Sequence, residues 1–329
     1  MNVLVTGGAG YIGSHVVEQL VAAGHKPVVY DNLLKGHIDA VPESVQLIEG
    51  DIHDFSFLKH VLGEYEIDGV MHFAASSLVG ESMTDPGQYY YNNVAGTLGL
   101  LDAMRDAGVD YIVFSSTAAV YGEPKTVPIT EDAPHEPTNV YGRTKLIIEG
   151  MLADYARAYD LHYVSLRYFN AAGAALLGNI GEDHNPETHL IPLVLQAALG
   201  KRENVAIFGT DYPTKDGTCV RDYIHVCDLA TAHVLALDYL LKGGQSSAFN
   251  LGSQSGYSVR EIIQAAKKVT GKDFPVVEKP RRAGDPAVLI ASSAKIKKEL
   301  GWKPQHTNIE DIIATAWRWH SAHPDGFAR

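Results

Sequence analysis

Short apolar runs alternate with longer amphipathic stretches through the first half of the chain. Runs at 2–6, 27–31, 45–51, 69–75, 111–117 and 163–170 are rich in Val, Ile, Phe or Tyr and end near Gly, Asp or Ser, which predicts strands. Between them the apolar spacing turns helical at 12–23, 55–62, 90–107 and 140–159, with Gly24, Gly63 and Gly108 as stop residues for the first three. Strand–helix–strand alternation at this spacing implies right-handed parallel crossovers, hence an α/β fold with a doubly wound parallel sheet. After Asn170 the pattern loosens. Segments 171–189 and 210–221 read as loop. Helices are predicted at 190–199, 228–241, 259–269, 293–300 and 308–320, and short strands at 205–208, 249–251 and 275–278. The expectation is a nucleotide-binding domain over 1–175, with a return of chain near 222–252, and a smaller mixed α/β substrate lobe over 176–329.

Composition narrows the chemistry. The 329 residues carry 27 Lys plus Arg against 39 Asp plus Glu, a net charge of -12, so no basic excess is available to release counterions and nucleic acid is not an expected partner. No apolar run reaches the length of a membrane span, and Met1-Asn2 leads straight into the first strand without a targeting pattern, so a cytoplasmic protein is expected. Cys219 and Cys227 form no framework, which suits a reducing compartment. Among 15 histidines there is no H-E-x-x-H and no Cys/His finger spacing, so no metal site is expected.

The first strand runs into Thr6-Gly7-Gly8-Ala9-Gly10-Tyr11-Ile12-Gly13. Gly8, Gly10 and Gly13 fit G-x-G-x-x-G, and Gly7, Gly10 and Gly13 fit G-x-x-G-x-x-G. Either places glycine where a chain must turn, approach a pyrophosphate and pack helix against strand, as in a Rossmann-type fold. Asp31 closes the second strand 18 residues after Gly13. A carboxylate there accepts hydrogen bonds from the ribose hydroxyls of NAD and repels the 2′-phosphate of NADP.

Tyr141-Gly142-Arg143-Thr144-Lys145 opens the fourth predicted helix, with Tyr141 and Lys145 one turn apart on one face. Phe114-Ser115-Ser116-Thr117 ends the preceding strand at the carboxyl edge, where open parallel sheets bind ligands. Bringing a phenol from 10 to about 7 needs about 4 kcal/mol. An ammonium about 5 Å away supplies roughly 3 kcal/mol at an effective dielectric near 20. Lys145 together with an oxidised nicotinamide is therefore expected to make Tyr141 a general acid/base.

Together these motifs resemble the extended short-chain dehydrogenase/reductase family. Asp51-Ile52, His72-Phe73-Ala74-Ala75, Val79-Gly80-Glu81-Ser82, Asn92-Asn93-Val94, Arg167-Tyr168-Phe169-Asn170, Val220-Arg221-Asp222-Tyr223 and Arg281-Arg282-Ala283-Gly284-Asp285 extend the likeness over nearly the whole chain, toward its nucleotide-sugar 4-epimerase branch. The resemblance implies interconversion of UDP-galactose and UDP-glucose through a transient 4-keto sugar, with tightly bound NAD, a homodimer built on 90–107 and 140–159, and a place in galactose metabolism. It assigns catalysis to Tyr141, Lys145 and Thr117, the last replacing the more usual Ser. It assigns cofactor contacts to Gly7, Gly10, Tyr11, Ile12, Gly13, Asp31, Asn32, Leu33, Lys35, Gly36, Asp51, Ile52, Phe73, Ala74, Ala75, Ser77, Asn92, Tyr141, Lys145 and Phe169. Lysine is common where this chain has Ser77. UDP-sugar contacts fall on Thr117, Asn170, His189 (often Asn in the family), Leu190, Ala206, Phe208, Arg221, Tyr223, Val259, Arg282 and Asp285. Leu289 stands where many family members carry tyrosine, which suggests room for an N-acetyl sugar. A related 4,6-dehydratase chemistry needs an acid pair after the hydroxyl residue, whereas Ala118-Ala119 follow Thr117. A non-catalytic NAD-binding sensor would not need both Tyr141 and Lys145.

Overall fold

The computed structural model describes residues 1–282 and 285–327. Ala283 and Gly284, inside the Arg281–Asp285 motif, lie outside the described residues. Seven parallel strands form the main sheet: β1 (Asn2–Thr6), β2 (Lys26–Asp31), β3 (Gln46–Glu49), β4 (Gly69–His72), β5 (Tyr111–Ser115), β6 (His162–Arg167) and β7 (Ser247–Asn250). Their spatial order is β7-β6-β5-β4-β1-β2-β3, so the direction of winding reverses beside β1. That is the doubly wound arrangement expected from the sequence.

Alternation along each strand explains the two cores. Val3, Val5, Val29, Met71 and Val113 face one side, with the helices Tyr11–Ala22 and Val226–Leu241. Leu4, Tyr30, Val70, Ile112 and Phe114 face the other, with Phe55–Glu64, Gly96–Ala107 and Val140–Tyr159. Both faces are covered, so the strands are apolar throughout. A third core joins helices Leu190–Ala198, Val259–Thr270 and Ile309–Ala322 to the paired strands Val205–Phe208 and Val276–Lys279.

Several boundaries differ from expectation. The second helix does not stop at Gly63. It runs to Glu64, and the reversal falls on Glu66 at φ +46, where the Ile67 amide donates to the Leu62 carbonyl. The stretch 90–107 is not one α-helix: Tyr90–Ala95 is π-helical and Gly96–Ala107 is α. Gly96 is required at the junction, because a Cβ there would lie 2.5 Å from Ile52 Cδ1. β6 ends at Arg167, and Asn170–Ala172 pairs instead with Tyr223–His225. Two residues of the expected loop 210–221, Val220–Arg221, form the middle of a three-stranded sheet between Tyr257–Ser258 and Val288–Leu289.

Candidate active site

The glycine turn divides its labour among three positions. Gly7 has φ +73, and a Cβ on it would lie 2.6 Å from the Ala74 nitrogen. A Cβ on Gly13 would lie 2.2 Å from the Gly7 oxygen. Both are glycine because backbone crowds them. Gly10 is different: its Cβ would meet only the Gly7 oxygen, at 3.3 Å. It precedes the helix Tyr11–Ala22 without a side-chain cap, which leaves a bare backbone face and first-turn amides for an anion.

Asp31 is buried beside this turn. Its Oδ2 accepts from Ala9 N at 3.0 Å and its Oδ1 from Leu33 N at 2.9 Å. Burial raises its pKa, against the pull of these two amides and of His37. Asp51 shows the opposite balance. Burial pushes it up, but hydrogen bonds from Asn32 and His53 outweigh burial and hold it low. Turn, carboxylate and sheet edge fit a dinucleotide.

The assigned cofactor residues divide into three groups. Ala75 and Asn92 are partly buried and Ser77, in the segment after β4, is exposed; Gly36 lies beside Asp31, where a Cβ would come within 2.9 Å of Oδ1. Phe73 packs at the edge of the first core, 4.8 Å from the His233 ring, as do Ile12 and Leu33; Ala74 borders the second core. Three face elsewhere. The Tyr11 hydroxyl donates to the Gly173 carbonyl at 2.7 Å, Lys35 donates to the Asn185 carbonyl, and the Ile52 side chain is buried in the second core.

Thr117 follows β5 and caps the 3-10 turn Ala118–Tyr121, accepting from Ala119 N at 3.1 Å. Asn139 caps the helix Val140–Tyr159 by accepting from Gly142 N at 2.8 Å, which sets Tyr141 in its first turn. The Tyr141 amide donates to Ser82 Oγ at 3.1 Å. One turn on, Lys145 is 3% exposed. Its ammonium donates to the Ser115 carbonyl at 2.9 Å and stands 4.7 Å from the Phe114 ring centre and 5.9 Å from that of Tyr141.

The chain alone adds a burial cost that the arithmetic from sequence left out. Burial drives Tyr141 up to about 12, with hydrogen bonding to Thr117 pulling the other way. Burial also drives Lys145 down to about 7, with Glu149 opposing. The expected phenol near 7 is therefore absent from the chain alone. The sequence estimate omitted the cost of keeping either charge out of water.

Residues given no role from sequence hold this pair. Glu149 lies one turn beyond Lys145. Its carboxylate accepts from Ser116 Oγ at 2.5 Å and from Arg167 Nε at 2.9 Å, and Arg167 also donates from Nη1 to the Tyr121 hydroxyl at 2.7 Å. Asn93 anchors the other side. Its Oδ1 accepts from Ser76 N at 2.8 Å, and its amide donates to Thr144 Oγ1 at 3.1 Å, whose hydroxyl donates to the Tyr141 carbonyl. His72 bridges Thr6 and Thr97 at 2.7 and 2.8 Å, and burial takes its pKa down to about 3, so it is a neutral core histidine. A carboxylate four positions after a candidate lysine was the available signal for Glu149; its partner Arg167 comes from the strand that follows the helix.

The substrate-side assignments scatter more. Arg221 Nη2 donates to Asp285 Oδ1 at 2.5 Å, so these two assigned residues meet each other. The Arg282 guanidinium covers the Phe208 ring at 3.9 Å, and Ala206 lies two residues earlier in the same strand. Asn170 Nδ2 donates to the Asp222 carbonyl at 2.8 Å. Tyr223 is buried in the third core, with Leu190 and Val259 at its margin. Phe169 and Leu289 meet at one cluster with Ala118, Val120 and Tyr121, next to Thr117. His189 joins Glu182, His184 and Glu187 in one group of potential metal ligands. The absence of H-E-x-x-H and finger spacing therefore does not settle the metal question; the relevant run is E-x-H-x-x-E-x-H.

A doubly wound sheet behind a glycine turn, with a tyrosine and a lysine one turn apart at its carboxyl edge, is the arrangement of the extended short-chain dehydrogenase/reductases. The chain matches the family model described as GDP-mannose 4,6 dehydratase over residues 4–316. It is 57% identical over 327 residues to a UDP-glucose 4-epimerase of Lacticaseibacillus casei, covering 99% of each chain. Its fold superposes on a crystal structure of a UDP-glucose 4-epimerase with a TM-score of 0.98, at 54% identity and with both chains fully covered. A second, from Brucella ovis and in complex with NAD, gives 0.94 at 51% identity over 96% of this chain and 97% of that one. The chain belongs to the UDP-glucose 4-epimerase family. Among the described residues no helix is long and apolar enough to cross a membrane.

Proposed function

We propose that this chain interconverts UDP-galactose and UDP-glucose with bound NAD. The observation that carries the reading is the meeting of Tyr141, Thr117 and Lys145 at the carboxyl edge of β5, with Ala118 and Ala119 where a dehydratase would need acids. Gly10, the first-turn amides of its helix and Asp31 would hold NAD, which when bound would supply a reversible hydride acceptor for sugar carbon 4 and, when oxidised, a positive charge.

The chain's own residues do the rest. Tyr141 removes the proton of the sugar 4-hydroxyl and gives it back after the ketone has turned over, so the net change is isomerisation without an external oxidant. Thr117 hydrogen-bonds the same oxygen or relays its proton. Lys145, fixed on the Ser115 carbonyl, supplies charge toward Tyr141. Arg221 meets the diphosphate by releasing Asp285, and Arg282 closes from the Phe208 side. We assign the nucleotide half to residues 1–175 with the return at 222–252, and the sugar half to the remainder. A homodimer through the helices around Tyr91, Leu98 and Ile147 accords with the exposure of these apolar side chains.

Incubation with UDP-galactose and chromatography of the UDP-sugars tests the reading. UDP-glucose should accumulate to an equilibrium also reached from UDP-glucose. No conversion from either side by NAD-loaded protein defeats it. A second reading concerns breadth: Leu289 borders the Thr117 turn with Phe169, and its small side chain leaves space for a UDP-N-acetyl sugar. On the same reading we assign the chain to galactose metabolism.

A further inference from the structure

Four chelating side chains outside the acid/base site converge on one point. Glu182, His184, Glu187 and His189 come from a single short segment, and one ligand atom from each lies within 4.8 Å of the others. His189 Nδ1 is 2.8 Å from Glu182 Oε1 and 3.1 Å from Glu187 Oε1. His184 Nδ1 is 3.0 Å from the same Glu182 oxygen and 3.8 Å from Glu187 Oε2. Metal–ligand bonds of about 2.0–2.1 Å in a tetrahedron set neighbouring ligand atoms about 3.3 Å apart. The observed spacings bracket that value.

Both imidazoles turn the same nitrogen inward. One cation can therefore replace two Nδ1 protons with little movement of the rings. The side chains of Glu182 and Glu187 are 4% and 5% exposed, so their charges are withdrawn from water. Two carboxylates, two neutral imidazoles and one divalent cation sum to zero, which avoids a buried net charge. Imidazole nitrogen disfavours Mg²⁺ and Ca²⁺ and suits later first-row ions.

We propose that Glu182, His184, Glu187 and His189 form a structural site for a divalent transition metal, with Zn²⁺ the ion whose ligand preferences the set matches best. Four protein ligands close the coordination sphere, which marks such a site as structural rather than catalytic. Its place in the fold gives it a role. The segment runs into the helix Leu190–Ala198, whose N-cap is His189. It also reaches the nucleotide half: Lys35 donates to the Asn185 carbonyl, His37 Nε2 lies 3.0 Å from the Asp183 carbonyl, and the His184 ring stands edge-on to Tyr11. A metal here braces the stretch of chain that links the glycine turn to the second lobe.

The test uses the full-length protein, stripped with a strong chelator and then titrated with Zn²⁺ against a chromophoric zinc indicator. One zinc per chain should bind, thermal unfolding should move upward on zinc addition, and Co²⁺ should give a visible d–d band of tetrahedral intensity. The double variant His184→Ala/Glu187→Gln should lose zinc affinity by about 100-fold or more and lose the cobalt band. Substoichiometric uptake by the stripped wild type with no shift in unfolding overturns the site, as does a folded double variant that binds zinc as tightly as wild type. If the variant fails to fold, the wild-type titration and cobalt spectrum decide alone.

Discussion

The two halves of the molecule hold their chemistry by different means. In the first half, Thr117, Tyr141 and Lys145 start from the end of a strand and the first turns of a helix, and are held by the Ala119 amide, the Ser82 hydroxyl and the Ser115 carbonyl in turn. In the second half, Asn170, Arg221, Arg282 and Asp285 start from short strands and loops, and Arg221 and Asp285 already spend polar atoms on each other. The contrast separates two demands. Proton transfer needs atoms fixed before the substrate arrives. Recognition of a long nucleotide sugar tolerates side chains that exchange an internal partner for a ligand.

The strongest way to break that contrast is at Tyr141. Tyr141→Phe should lower turnover by roughly 100- to 10,000-fold, while extracted nucleotide shows NAD still bound. Near-normal turnover would remove the tyrosine from the mechanism. Glu149→Ala tests the bracing. It leaves Arg167 buried without its carboxylate, a change that costs about 3–5 kcal/mol, read as a fall in the denaturation midpoint. An unchanged midpoint would show that the network is not needed for rigidity.

Asp31→Ala should weaken NAD binding by roughly 10- to 150-fold, the scale of lost charged hydrogen bonds of about 1.5–3 kcal/mol. Equilibrium binding checks this, together with a narrowed preference over NADP. Wild-type protein that yields mainly NADP on extraction would contradict the assignment. On the adaptable side, Leu289→Tyr should depress use of UDP-N-acetylglucosamine by about 5- to 150-fold, from overpacking of about 1–3 kcal/mol, and spare UDP-galactose. Equal effects on the two sugars would place Leu289 outside the pocket.

The smallest effect is a slope. Lys145 has a folded pKa of about 7, below its unfolded value. Between about pH 7 and 9 the unfolded chain thus binds more protons at this site than the folded one, and stability rises with pH. Unfolding of cofactor-free protein should show that rise, and Lys145→Met should flatten it. A variant with the same slope as wild type would assign the titration elsewhere.

The sheet was legible because its cues are local. Val3, Leu4 and Val5 form the unbroken apolar run of a strand covered on both faces, Gly24 and Gly108 stop helices, and Asp31 falls at a fixed distance from the glycines. What was hidden depends on residues meeting across elements. Glu149 and Arg167 are 18 positions apart on a helix and a strand, and neither announces a partner. The π-turn at Tyr90–Ala95 follows no propensity rule; Thr97 donates to the Asn93 carbonyl there while the Asn93 side chain reaches Ser76. The burial of Tyr141 and Lys145 was hidden for the same reason, because burial is a property of the whole fold. In the second half, three short strands pair over two residues each, too few for alternation to show.

The position of β7 has a consequence for synthesis. This strand pairs with β6, yet it is made about eighty residues later, after much of the second half has been translated. Until then the growing chain presents β6 as a bare edge, with unpaired amides and carbonyls able to capture another strand. A fragment ending at residue 175 would keep that edge permanently. The sheet is therefore completed by a stretch of chain that follows the first strands of the second lobe, so residues 1–175 alone are an aggregation hazard rather than an independent module.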